Sequence, residues 1–207
     1  MENFENIGYR MHYYKVLDTY TQICEQYGLE VSEEAQKYVD SQGSFAGKYA
    51  GMKDELKKIL NNDVRPIWIE DLPKYFEGKE IEDAEQIITA TLEIIPEDAF
   101  EIFARAFRTL NMLEQGHIKD VKSYVAKNIR YMTLDEIFTH YDFVFHSKFG
   151  NELLDGVFEE IKANPDIAPD VKDYFKARED AKKKQAKIDR KNQKKQKRAV
   201  ASENEKQ

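Results

Sequence analysis

The sequence predicts an all-α protein, an irregular multi-helix bundle with a projecting basic C-terminal helix and a disordered tail. Three observations carry that expectation. Apolar residues recur at steps of three and four along most of the chain, the period of an amphipathic helix. Nine glycines and five prolines mark the places where that period is interrupted. Charge is also sorted along the chain: the first 175 residues hold 34 acidic and 19 basic side chains, the last 32 hold 5 and 13, so a net −7 divides into −15 and +8. All 25 aromatic residues fall in the first part. The expected organisation is therefore an acidic helical domain, 1–175, followed by a basic helical extension and disordered tail, 176–207.

Each element has its own signal. Phe4, Ile7, Met11, Tyr14, Leu17 and Cys24 are spaced by three, four or seven, which predicts one buried helical face ending at Gly28. Ser32 is placed to cap a short helix through Val39. Phe45, Tyr49, Met52, Leu56 and Ile59 continue the helical spacing to Asn61-Asn62. The run Val64-Arg65-Pro66-Ile67-Trp68-Ile69 is the best extended segment, held off a central strand position by its proline. Pro73 and Pro96 both suit the first turn of a helix, where a missing backbone donor leaves nothing unpaired. After Pro96 come Phe100, Phe103, Ala104, Phe107, Leu110 and Leu113, with Gly116 placed to end the helix in a left-handed cap.

Ile118, Val121, Val125, Ile129 and Met132 form the next stripe. Thr133-Leu134-Asp135-Glu136 then matches a capping box, in which Thr133 serves an orphan amide and Glu136 reaches back. Tyr141 to His146 is rich in strand-forming residues, but the cap ahead of it favours helix. From Pro169, a thin apolar stripe of Val171, Tyr174, Ala181 and Ile188 runs beside the acid-first pairs Glu179–Lys183 and Asp180–Lys184. Beyond about Arg190 nothing apolar remains to pack, and fraying is expected.

Most catalytic chemistries are excluded by what the chain lacks. With Cys24 alone, neither an intramolecular disulfide nor a cysteine zinc site can be assembled, and on its apolar face it reads as a buried thiol. Gly43, Gly47 and Gly51 stand four apart, and the string GSFAGKY opens that series, yet a phosphate loop needs four residues between its glycines and a hydroxyl after the lysine. Close helix packing or a hinge is the expectation there. Glu82 and Glu85 supply half of the paired acidic motif by which helical nucleotide pyrophosphatases hold magnesium, without the second half. Glu114 and His117 have the spacing of a di-iron pair, but Gly116 separates them. Glu136, His140, Asp142 and His146, four ligand-type residues in eleven on one helix, are the most enzyme-like cluster and define a metal-dependent alternative.

The region around the first glycines resembles the DNA-binding end of tetracycline-repressor-type regulators. A first helix ending at Gly28, a short second helix, Gly43 and Gly47 about a turn, Tyr49, and Lys53-Asp54-Glu55-Leu56 opening another helix carry the likeness, which spans under a fifth of the chain. It implies a helical DNA-binding regulator as a second alternative. Gly28 to Leu56 nevertheless holds six acids and three bases, whereas a DNA-reading unit must first neutralise phosphates.

Two basic features remain. Between Arg105 and Arg130 the chain holds six bases and two acids, and Lys119, Lys122, Lys127 and Arg130 are expected on a face opposite Val121 and Val125. Lys176 to Arg198 holds twelve bases and three acids, among them Lys182, Lys183, Lys184, Lys187, Arg190, Lys191, Lys194, Lys195, Lys197 and Arg198. No aromatic lies among them, so contact with nucleic acid by this stretch is expected to be electrostatic and salt-sensitive.

The sequence thus points to a non-enzymatic helical interaction, assembly or accessory protein with no cofactor. Its acidic body binds a protein partner, and its basic tail contacts nucleic acid, an acidic surface or the protein's own body. The N-terminus has neither the basic stretch nor the apolar run of a secretory signal and no later run is long enough to span a membrane, so a cytoplasmic location without membrane attachment is expected.

Overall fold

The structure is a computed structural model that describes residues 4–77 and 81–204, with side chains for 6–77 and 82–194. Among the described residues every regular element is helical: α1 (Phe4–Tyr27), α2 (Glu33–Asp40), α3 (Phe45–Ile59), α4 (Arg65–Tyr75), α5 (Ile81–Leu92), α6 (Pro96–Glu114), α7 (Ile118–Ile129), α8 (Leu134–His146), α9 (Gly150–Ala163) and α10 (Pro169–Asn204). A π-helical turn, Leu60–Val64, joins α3 to α4. The all-α multi-helix class is as the sequence predicts.

Helix ends follow local chemistry closely. Gly28 and Gly116 sit at φ +63° and +84°, the left-handed conformation that releases the chain after α1 and α6. At the first of these Leu29 N–H donates to Cys24 O at 2.9 Å, closing the cap. Ser32 Oγ accepts from Ala35 N–H and starts α2. Pro96 opens α6 in its first turn, as expected. The capping box closes in both directions: Thr133 N–H donates to Glu136 Oε2 at 2.7 Å, and Glu136 N–H to Thr133 Oγ1 at 3.3 Å.

Helix faces are where the expectations need correction. In α1 the buried apolar residues are Tyr13, Val16, Tyr20, Ile23 and Cys24, whereas Ile7, Met11 and Tyr14 are 43%, 69% and 51% exposed. The two sets lie about 150° apart on the helical wheel, so a stripe drawn through Leu17 to Cys24 by a seven-residue step joined two faces. Phe4's side chain lies outside the described residues.

The segment Val64 to Ile69 is not extended. Its apolar spacing continues at helical period into α4, for Val64, Trp68, Leu72 and Tyr75 are all buried on one side, and Pro66 costs nothing in the first turn of that helix. Pro73 lies inside α4, two residues before its end, instead of opening a helix. The α10 backbone also stays helical to Asn204, past the point near Arg190 where fraying is expected. Lysine, glutamine, alanine and arginine are strong helix formers even where no core is offered.

The contacts group the chain into two compact units, along boundaries other than the charge division at Phe175. The first comprises residues 1–116 and 139–150, the second 117–138 and 151–207. Within the first, an aromatic cluster anchors the core. Trp68 is 1% exposed, stands 4.6 Å from Phe103 by ring centroid and stacks on Phe107 at 5.9 Å. Its indole N–H donates to Tyr27 Oη at 2.7 Å, so the buried polar atom is satisfied. Gly51 supplies the close packing expected of the glycine series, since an added Cβ would stand 2.1 Å from Tyr38 Cε1. Within the second unit, Val121, Val125 and Ile129 of α7, Leu153, Val157 and Ile161 of α9, and Val171 and Phe175 of α10 are buried. Among the described residues no helix is long and apolar enough to cross a membrane.

Candidate functional site

The bases singled out in the sequence fall on α7 and α10, both in the second unit. On α7, Lys119 and Lys127 are exposed. Lys122 lies beside Val125 instead of opposite it: the side chain is 23% exposed, and its ammonium is 3.9 Å from Glu152 Oε1 of α9. Its alkyl chain crosses Gly156, where an added Cβ would stand 2.3 Å from Lys122 Cδ. Arg130, just past the helix, pairs with Asp166 and lies over the Tyr131 ring, 5.4 Å from its centroid.

On α10 the docked side and the basic side separate cleanly. Lys182 shares the side of Val171 and Phe175 and reaches Asp155 of α9 at 2.5 Å. Lys183, Lys184, Lys187, Arg190, Lys191 and Lys194 are exposed, and on the helical wheel they occupy an arc of about 120° centred well away from that docked side. Of the acid-first pairs, Glu179–Lys183 closes at 2.5 Å, and the Glu179 carboxylate holds the Lys183 ammonium above the ordinary lysine value. The side chains of Lys195, Lys197 and Arg198 lie outside the described residues.

The two helices meet the same neighbour. Glu152 and Asp155, which receive Lys122 and Lys182, stand three residues apart on α9, hence on adjacent turns of one side. The base of α10 is therefore docked on the acidic surface of its own unit, and the outward basic side begins at Lys183, which is itself paired with Glu179. An open groove of about 380 Å³ between α9 and α10 is lined by Leu154, Phe158, Arg178 and Gln185 among others.

The other candidates are dispersed by the fold. Glu136 is engaged in the α8 cap, His140 Nδ1 is 3.5 Å from Arg105 Nη1, and His146 Nδ1 is 3.2 Å from Asp142 Oδ2. His117 pairs with Asp120, and Glu114 with Lys148. Among the described residues no group of three or more His, Cys, Asp or Glu is placed to hold a metal ion. Glu82 and Glu85 face an open surface of α5 with Gln86, Thr89 and Glu93. Gly47, Tyr49 and Lys53 to Leu56 all lie within α3, one continuous helix where the likeness to a repressor implies a turn and a new helix. Cys24 is buried, and burial pushes its thiol up from the ordinary cysteine value.

Sequence reasoning missed the exposed aromatics of the second unit. Tyr124 and Tyr131 are 49% and 81% exposed, beside the α7 bases. The signal was present, since Tyr124, Lys127 and Tyr131 repeat at three and four off the packed stripe. No protein-family model, curated protein or solved structure matches the chain.

Proposed function

We propose that the protein is a non-enzymatic interaction or assembly factor whose second unit holds nucleic acid through the outward basic faces of α7 and α10, while its acidic first unit meets a protein partner. The observation that carries this reading is the segregation of charge by unit. Residues 1–116 and 139–150 contain 24 acidic and 13 basic side chains, a net of −11, and the remainder contains 15 and 19, a net of +4. Local charge, not the chain's net −7, sets the potential a polyanion meets. A reducing, cytoplasmic location accords with the one cysteine, Cys24, being buried.

The test is a mobility or anisotropy titration across a salt series. Binding is expected to weaken linearly in log K against log salt, with a slope set by the number of phosphates neutralised. Truncation after Gln185 removes Lys187, Arg190, Lys191 and Lys194 and is expected to flatten that slope. Absence of binding to DNA and RNA at low salt defeats the nucleic-acid reading.

A further inference from the structure

We infer that α7 and the turn that follows it carry a stacking platform for single-stranded nucleic acid, formed by Tyr124, Lys127 and Tyr131. The inference rests on the nucleic-acid reading of the second unit and adds which form of nucleic acid it takes. Tyr124 and Tyr131 are 49% and 81% exposed, whereas Phe138, Phe158, Tyr174 and Phe175 of the same unit are half-buried or buried. Tyr124 and the exposed Lys127 lie one turn apart on α7, and Tyr131 lies in the turn just past the helix end. Tyr131 N–H donates to Asn128 O at 3.1 Å, which fixes the backbone of the turn, and the Arg130 guanidinium, 5.4 Å from the ring centroid, pairs with Asp166.

Each part matches a need of the ligand. An exposed ring offers a π-face to any base, and a cation one turn away offers charge to the intervening phosphate. A duplex hides its base faces, so it gains only the electrostatic contribution. The α10 bases have no aromatic among them and cannot make this distinction. α7 supplies the form preference, and α10 the attraction.

The experiment uses the full chain and labelled oligothymidylate and oligouridylate of about 15 nucleotides, beside a DNA duplex of equal length, at one low salt concentration. Wild type is expected to bind at least one single strand at least about fivefold more tightly than the duplex, and the two strands distinguish DNA from RNA. Tyr124→Ala and Tyr131→Ala are each expected to lose about fivefold or more on the preferred strand and to leave duplex affinity unchanged. Tyr131→Phe keeps the ring and retains the preference. Equal affinity for both forms, or single-strand affinity untouched by the alanine variants, overturns the platform and leaves the electrostatic reading standing. Failure to bind any of the probes overturns both.

Discussion

At the scale of single residues, the glycines separate by what stands opposite the missing Cβ. Gly150 faces the Phe145 carbonyl oxygen at 1.7 Å and Gly51 the Tyr38 ring at 2.1 Å, while Gly47 has only Ser44 Oγ at 3.4 Å. Backbone yields less than a ring edge. Gly51→Ala is expected to cost about 1–3 kcal/mol, Gly150→Ala more, and Gly47→Ala nothing or a gain of up to about 1 kcal/mol, read from urea midpoints. The sequence singled out Gly51, but only the fold could supply Tyr38 as its neighbour. Titration adds a second expectation. Burial raises the Cys24 thiol and the Tyr13 and Tyr27 phenols above their ordinary values, so the folded state retains protons that the unfolded chain releases. Stability from these groups is complete below the unfolded values and is lost as pH rises through the folded ones. Denaturant midpoints measured upward from neutrality are expected to fall on the alkaline side, and Cys24→Ala is expected to remove part of that fall.

At the scale of elements, ends set by local caps were legible, as were the buried faces of α6 and α7, whereas the face of α1 was not. Ser32, Pro96, Gly116 and the Thr133–Glu136 box act on backbone groups within a few residues, so the sequence alone contains both partners. Which face of α1 is buried depends on what packs against it, and two apolar stripes competed with similar claims. Val64 to Ile69 differs from expectation for a related reason: taken alone, the six residues suit an extended segment, whereas the four-residue step from Val64 to Trp68 to Leu72 emerges only over a longer window. The candidate bases were legible as residues, but the docking of Lys122 and Lys182 on α9 required its position in the fold. The α8 cap can be weighed directly. Thr133→Ala is expected to cost about 0.5–2 kcal/mol by thermal or urea denaturation, because an exposed cap loses one backbone partner and the reciprocal hold on Glu136.

At the scale of the whole molecule, charge and contacts divide the chain in different places because α10 is one continuous helix. It begins among buried residues at Val171 and Phe175 and carries its cations onward from Lys183, so the change of sign at Phe175 falls within an element. The linear sequence shows the change of sign, but the discontinuous assembly of each unit from two segments is visible only in three dimensions. Trp68 gives this division a spectroscopic use. It is the chain's sole tryptophan, buried among Phe103 and Phe107 with its N–H bonded to Tyr27, so its emission reports the first unit and contains no signal from a tryptophan of the second. Circular dichroism, by contrast, averages helices of both. Comparing the two melting curves therefore reads out, without any label, whether the acidic and basic units lose their structure together.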